Sequence, residues 1–182
     1  MLAAFAVASA LAGPAAAETP RYCIDAVLDP ERSTVEGTVA IDPGPRADRD
    51  TPLLLLLYPQ RFAGAPPEFD ERNARWIYPG SVDGGGMAIT SCRTASGADC
   101  VAVLSEDGTT ATVTVPDDEE DGVVLEFRTV VPERFGAFGR DGDEIVLGGG
   151  WHPLLAARHA EGSSDATLPV ERSDHSLTLH LG

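Results

Sequence analysis

The chain has 182 residues, a length that fits one domain. It carries 29 acidic residues against 13 basic ones, all of them arginine, and its formal net charge is −16. Because a surface this acidic repels phosphate backbones, the composition argues against nucleic acid as a partner.

Residues 1–17 form an uncharged apolar segment that ends in small residues, Ala15-Ala16-Ala17, the kind that precede a signal-peptidase site. We predict a signal peptide over residues 1–17, truncated because a basic start is missing. A membrane-spanning helix is the alternative, but the segment is shorter than the roughly 20 apolar residues such a helix needs. The predicted location is therefore periplasmic or extracellular, with membrane anchoring if the leader is not cleaved.

The remaining residues, 18–182, predict a single β domain. Residues 22–28 and 34–41 predict two strands joined by the turn Asp29-Pro30-Glu31-Arg32. Residues 34–41 have the alternating pattern of a strand with one solvent-exposed face. Residues 53–58 are continuously apolar, which predicts a central strand buried on both faces and ended by Pro59. Further strands are predicted at residues 76–78, 87–91, 101–104, 109–115, 123–131 and 176–181.

Short strands separated by turn residues are typical of an all-β fold, here an antiparallel β-sandwich or a curved, saddle-like sheet. Asp107-Gly108 predicts a tight hairpin turn between residues 101–104 and 109–115. Outside the leader no segment of useful length has a helical period. Fold class is therefore the firmest inference from the sequence.

The three cysteines fall into a pair and a single residue. Cys92 and Cys100 flank a short loop between strand-like segments, and in an oxidising compartment they predict a hairpin disulfide. Two reduced thiols are the alternative. Cys23, in the first strand, is expected to be a buried small hydrophobe.

The sequence offers little that could form a metal site or an active site. Zinc needs three or four converging ligands, usually with a closely spaced pair, and none of the four histidines forms a helical pair with an acidic residue; they are His152, His159, His175 and His180. Acidic turns at residues 117–121 and 141–144 lack the full calcium-loop pattern. Serine, histidine and aspartate occur near residues 163–165 and 173–175, without a nucleophile elbow. We predict no catalytic residue and no metal ligand.

Four segments in order carry a resemblance to a known family. They are an opening strand at residues 22–29, a second strand at 34–41, a Leu-Tyr-Pro corner at 53–59, and a long strand ending at Pro132. The exit Gly-Gly-Gly-Trp-His-Pro, at residues 148–153, completes the order. This arrangement resembles the N-terminal β domain of the aminopeptidase N-like zinc peptidases (gluzincins) across most of the mature chain.

The chain departs from the family in two places. Asp42-Pro43-Gly44 stands where the family often has an Asn, and neither the Gly-x-Met-Glu-Asn motif nor the H-E-x-x-H motif occurs. The catalytic domain of the family follows this exit, so the chain is expected to be a fragment of a longer protein. The alternative is a stand-alone derivative that lost the enzyme. Zinc would belong to that catalytic domain, and this chain would hold no cofactor.

The resemblance implies a non-catalytic domain that packs on a downstream or separate metallopeptidase domain and shapes its peptide-binding cleft, with only indirect contact to the peptide. Trp151, His152 and Pro153 would then lie at the interface and the cleft edge. A second hypothesis is a stand-alone secreted β-sandwich that binds a protein or a glycan. Trp76, Tyr78 and Trp151 could line such a surface, although aromatic residues at strand ends more often pack in a core.

Overall fold

The computed structural model describes residues 19–45, 51–64, 74, 76–116, 122–157, 170 and 172–182. In chain order the strands are β1 (Arg21–Asp29), β2 (Thr34–Asp42), β3 (Leu53–Leu56), β4 (Gly86–Thr94), β5 (Ala102–Leu104), β6 (Thr110–Val113), β7 (Val123–Val130), β8 (Phe138–Asp141), β9 (Glu144–Leu147), β10 (Leu154–Leu155) and β11 (Asp174–Leu181). A 3₁₀ turn, Tyr58–Phe62, follows β3. The prediction of an all-β fold is confirmed.

The strands form two larger sheets and a separate hairpin. The first sheet has the order β11-β1-β2-β7-β4, the second has the order β10-β3-β6-β5, and β8 pairs with β9. Strand pairing is antiparallel except between β1 and β11, which run parallel. The architecture is therefore an antiparallel-dominated β-sandwich with one parallel edge strand.

The core lies between the inner faces of the two sheets. Along β1 and β7 every second side chain is buried, as a period of two requires. The opposite sheet contributes Leu53 and Leu55 from β3 and Ala111 and Val113 from β6 to the same continuous apolar cluster. Packing of alternate side chains from both sheets is what holds the sandwich together.

The predicted burial of Cys23 is wrong, since its side chain is exposed. Tyr22, Ile24 and Ala26 face the core from β1. Neighbouring residues on a strand point to opposite faces, so Cys23 faces outward. The position of Cys23 in the alternating strand determines that it is exposed, and this outweighs the small apolar character of its side chain.

The central strand is shorter than predicted. β3 ends at Leu56, and the chain turns into the 3₁₀ segment Tyr58–Phe62. Pro59 occupies the first turn of that segment, where its fixed φ fits and its missing N–H leaves no donor unpaired. The strand is also not buried on both faces, because Leu54 and Leu56 are only half-buried.

The strand predicted at residues 76–78 is absent from the described chain, and a helical turn stands in its place. The Tyr78 N–H donates to the Ala74 carbonyl oxygen over 2.7 Å, which is helical spacing. The turn buries Tyr78 and leaves 71% of Trp76 exposed. Tyr78 is therefore a core residue, whereas Trp76 lies on the surface.

Two local predictions are confirmed. Cys92 and Cys100 form a disulfide with a Cα–Cα distance of 5.1 Å, which ties β4 to the segment before β5. β5 and β6 form the predicted hairpin, with Leu104 opposite Ala111. Gly108 has a φ of 69° in the connecting turn, a conformation that favours glycine.

The last strand is longer than the predicted residues 176–181 and has an unpredicted partner. β11 pairs in parallel with β1 along its whole length, from Asp174 opposite Arg21 to Leu181 opposite Leu28. All eight of its residues are exposed. Within the described ranges, none of the helical segments has the length and apolarity to span a membrane.

Candidate functional site

The segment between β9 and β10 is shaped by a glycine turn. Gly150 has a φ of 94°, in the region that residues with a side chain rarely adopt. A Cβ at Gly150 would also lie 3.0 Å from the Cβ of Tyr58. Glycine satisfies both constraints. The turn directs Trp151 back onto the sheet, where its ring centroid lies 6.1 Å from that of Phe127.

Two buried hydrogen bonds fasten this segment to the five-stranded sheet. The Thr129 hydroxyl on β7 donates to the Trp151 carbonyl oxygen over 2.8 Å. The Leu155 N–H donates to the Tyr22 hydroxyl oxygen on β1 over 2.7 Å. Since β10 also pairs with β3 of the other sheet, the segment bridges both sheets, and the position of Trp151 is fixed from two sides.

Five rings from four separate segments form what we call the aromatic row: Phe127, Trp151, His152, Tyr22 and His175. The Trp151 and His152 rings meet edge to face at 5.1 Å. The His152 centroid lies 5.8 Å from that of Tyr22 and 5.5 Å from that of His175. Tyr22 and His175 stack in parallel at 4.5 Å. The row runs from the core to the exposed strand β11.

His152 is the buried ionisable group of this row. Burial lowers its pKa from 6.5 to about 4; the hydrogen bond with Pro153 raises the pKa, and His175 adds a small lowering. Its Nδ1 lies 3.0 Å from the Pro153 carbonyl oxygen, and a carbonyl oxygen only accepts, so Nδ1 carries the proton. His152 is therefore neutral at physiological pH.

A cleft of about 620 Å³ opens beside the aromatic row. Its apolar wall comes from both sheets and the exit segment: Ile24, Leu177, Leu56, Leu154, Tyr58 and Trp151. The volume lies within the roughly 300–1,000 Å³ of sites for small ligands. The cleft lies beside β10 and β11, the edge strands of the two sheets.

The cleft also has polar and cationic groups. Arg61, from the 3₁₀ turn, lies at its exposed side, and Thr109 and Thr110 line it at the start of β6. His152 and His175 add their rings. None of the described lining residues is acidic, although acidic residues outnumber arginines more than twofold in the whole chain. The described lining therefore carries none of the negative charge that dominates the protein.

Three residues were predicted to lie at the edge of the peptide-binding cleft of a separate catalytic domain, and all three belong to the exit segment. Trp151 and His152 line the cleft, whereas Pro153 is buried and holds His152 through its carbonyl oxygen. Their predicted contact with a catalytic domain stays a prediction. Sequence reasoning missed Tyr22 and His175, although each lies on the core-facing side of its alternating strand, a signal that could have found them.

Within the part of the chain that the structure describes, the remaining histidines and acidic turns do not converge. Among the described residues, no group of three or more His, Cys, Asp or Glu side chains could hold a metal ion. His175 stacks on Tyr22, while His180 lies on the opposite face of β11, 3.3 Å from Asp25. Residues 141–144 form the β8–β9 turn. His159 and residues 117–121 and 163–165 lie outside the described part of the chain.

One serine and one histidine near residues 173–175 are in contact, although no catalytic pair was predicted there. The Ser173 hydroxyl lies 2.8 Å from Nε2 of His175, and both side chains are near the surface. In the described residues no carboxylate is hydrogen-bonded to the His175 ring, so the third group that orients a catalytic histidine is missing. This contact positions the His175 ring at the cleft.

No protein-family model matches the chain, and no curated protein is significantly similar to it.

Proposed function

We propose that this chain is the non-catalytic N-terminal β domain of an exported zinc aminopeptidase-like protein. In this role it packs on a metallopeptidase domain that carries the zinc, and it helps to wall the peptide-binding cleft of that domain. The observation that supports the proposal is an apolar row on the inner face of β11 that the second sheet, as far as the structure describes it, leaves exposed.

The row consists of Leu177, Leu179 and Leu181. Leu177 and Leu179 pair with Ile24 and Ala26, which are 2% and 1% exposed, so the leucines lie on the core-facing side of the sheet. Yet Leu177 and Leu179 are 51% and 40% exposed, and Leu181 is 78% exposed. The second sheet covers β1 but leaves the inner face of β11 open.

An uncovered apolar row on the core side of a sandwich is a surface suited to a partner. Full burial of one leucine side chain contributes about 1.5–3 kcal/mol, so covering the exposed parts of these three contributes on the order of 3 kcal/mol. Contiguous exposed apolar surface commonly marks an interaction site. The leucine row of β11 continues into the cleft at Leu177, beside Trp151 and His152.

The resemblance supplies the identity of the partner. In the aminopeptidase N-like family the Gly-Gly-Trp-containing exit lies next to the catalytic domain, and here the same exit borders the uncovered row. The Cys92–Cys100 disulfide supports an exported protein, because such bonds persist in oxidising compartments. A metal site in this chain is not part of the proposal.

The test starts from the reading frame that encodes the chain. We expect it to continue into Gly-x-Met-Glu-Asn and H-E-x-x-H motifs, and the longer protein to hydrolyse aminoacyl-anilides until its zinc is chelated. A reading frame that encodes neither motif would contradict the proposal.

Variants of the longer protein test the docking surface itself. We expect the double variant Leu179→Asp/Leu181→Asp to lower its activity and thermal stability, because two carboxylates would have to be buried at the interface. Val103→Asp is the matched control, since Val103 is 61% exposed on β5, at the far edge of the other sheet. Equal behaviour of the two variants would refute docking at β11.

The second hypothesis, a stand-alone secreted binding domain, is favoured by one observation, the cleft with its mixed apolar and polar lining. The first hypothesis predicts metallopeptidase motifs in the reading frame, and the second does not. The second also predicts that the isolated chain binds its protein or glycan by itself.

A further inference from the structure

The end strand of the five-stranded sheet, β11, has a long and regular edge. Its pairing with β1 runs over eight residues without a register shift, and it contains no proline, lysine or arginine. Proteins commonly protect an edge strand from other chains by keeping it short, by a bulge, or by proline and lysine. β11 has none of these features, and all of its residues are exposed.

The other edges of the two sheets are protected in these ways. β10 and β5 are only two and three residues long. β4 has a bulge between Ile89 and Ser91. The loop closed by the Cys92–Cys100 disulfide also folds along the end of β4, where the Cys100 N–H donates to the Cys92 carbonyl oxygen over 3.0 Å. Pairing with a further strand is therefore favoured at β11.

The backbone of β11 presents hydrogen-bonding groups at this edge. The N–H groups of Asp174 and Gly182, at even positions, donate to the Pro20 and Leu28 carbonyl oxygens on the β1 side, each over 2.9 Å. Because the backbone groups of successive strand residues point to opposite sides, those at the odd positions point away from β1. No described strand pairs with them. They belong to His175, Leu177, Leu179 and Leu181.

The side chains of β11 are complementary to a second, antiparallel copy of the same strand. With Leu177 on the symmetry axis, the facing pairs are Asp174 with His180, Ser176 with Thr178, and His175 with Leu179. Such pairs, a carboxylate with an imidazole, two hydroxyls, and two largely apolar groups, stabilise antiparallel sheets. A shift by one residue would turn the leucines of one copy to the wrong face. A shift by two would separate Asp174 from His180.

We propose that β11 is a homodimerisation edge, at which two copies of this chain pair antiparallel with Leu177 on the two-fold axis. The backbone groups at the odd positions form the hydrogen bonds between the copies, and the two five-stranded sheets join edge to edge. Each copy contributes the same strand, as a two-fold interface requires.

This pairing goes beyond the docking role proposed above. A metallopeptidase domain would cover the inner face of β11, whereas the second copy takes its edge. The pairing is tested on the isolated chain, so its failure and the failure of the docking proposal are separate results.

Sedimentation equilibrium of residues 18–182 tests the pairing. A Cys23→Ser background prevents disulfides between the exposed thiols. We expect the mean mass to rise from one chain toward two between about 5 and 500 µM, because an interface this small dissociates on dilution. Added salt should lower Kd, because it screens the repulsion between two chains of net charge −16. The mass of a single chain under all these conditions would overturn the proposal.

The variant Leu177→Pro blocks the edge. Since the Leu177 N–H points away from β1, proline removes no hydrogen bond to β1 but removes a donor to the second copy. We expect Kd to rise about tenfold or more. Val103→Ala, at an exposed residue of β5, is the control and should leave Kd unchanged. An unchanged Kd in Leu177→Pro would show that the copies associate elsewhere.

Cysteine cross-linking tests the register and remains decisive if Leu177→Pro does not fold. Leu177 is half exposed, and a hydrogen-bonded pair on the axis has a Cα–Cα distance of about 5.5 Å, which suits a disulfide. In the Cys23→Ser background, Leu177→Cys should form a covalent dimer on mild oxidation.

The matched control is Leu181→Cys, on the same face of β11 and more exposed, at 78%. In the proposed register the two copies of residue 181 lie about 27 Å apart, so we expect this variant to cross-link about tenfold more slowly or not at all. Equal rates for the two variants, or no cross-linking of Leu177→Cys, would overturn the proposal.

Discussion

His152 makes the stability of the domain depend on pH. The residue is 5% exposed, and its environment lowers its pKa from 6.5 to about 4. In the unfolded chain the imidazole binds a proton once the pH falls below about 6.5, whereas in the folded chain it stays neutral until about pH 4. Between these values the unfolded state binds more protons, so the free energy of unfolding falls as the pH falls.

The size of the effect follows from the width of that interval. It spans about 2.5 pH units, and each unit corresponds to about 1.4 kcal/mol, so His152 lowers the free energy of unfolding by about 3 kcal/mol between pH 6.5 and 4. Above pH 6.5 the residue is neutral in both states and contributes nothing to the pH dependence. For a domain of ordinary stability, about 5–15 kcal/mol, this loss is substantial.

This loss of unfolding free energy can be measured by urea denaturation of the unmodified chain and of His152→Asn at several pH values from 7.5 to 4.5. Asparagine keeps a donor near the Pro153 carbonyl oxygen but does not titrate, so the difference in unfolding free energy between the two proteins should shift by about 2–3 kcal/mol. Thr129→Val, which removes the bond to the Trp151 carbonyl oxygen, is the control and should cost about 1 kcal/mol at every pH. A difference that does not change with pH would refute the buried, neutral state of His152.

Three further predictions concern stability. Gly150→Ala is expected to lower the free energy of unfolding by about 1–3 kcal/mol because of its φ and its contact with Tyr58, whereas Gly149→Ala, with open space around its Cβ, should be near neutral in thermal melts. Replacing Cys92 and Cys100 by serine should cost about 2–3 kcal/mol by the loop-entropy relation, and urea midpoints that match the unmodified protein would contradict this. Leu55→Ala, at a side chain with no exposed surface, should cost about 2–5 kcal/mol, measured in the same urea titration.

Much of the fold could be predicted because the sequence signals for its strands and turns lie in neighbouring residues. The strands at residues 22–28 and 34–41, the alternation along the second of them, and the Asp107-Gly108 turn each depend on neighbouring residues, and the structure agrees with them. The error on Cys23 was also local, since the alternation of its own strand was available and outweighs residue type. The turn containing Trp76 is too short for a helical period to show.

The candidate site could not be predicted, because its geometry is not local. The parallel pairing of β11 with β1 joins segments about 150 residues apart, and without it neither the uncovered leucine row nor the stacking of Tyr22 on His175 exists. The cleft draws Arg61, Thr109 and Leu154 from three distant segments. Trp151 and His152 carried the signal of the exit motif, whereas Tyr22 and His175 carried only the alternation of their own strands.

Amide hydrogen exchange of β11 tests the docking claim most directly. Exchange would be compared between residues 18–182 alone and the longer protein from the same reading frame, with the β5–β6 hairpin as the internal reference. The account predicts that amides of Asp174–Leu181 exchange markedly more slowly in the longer protein, while the hairpin is unchanged. Identical exchange of β11 in the two proteins would contradict it.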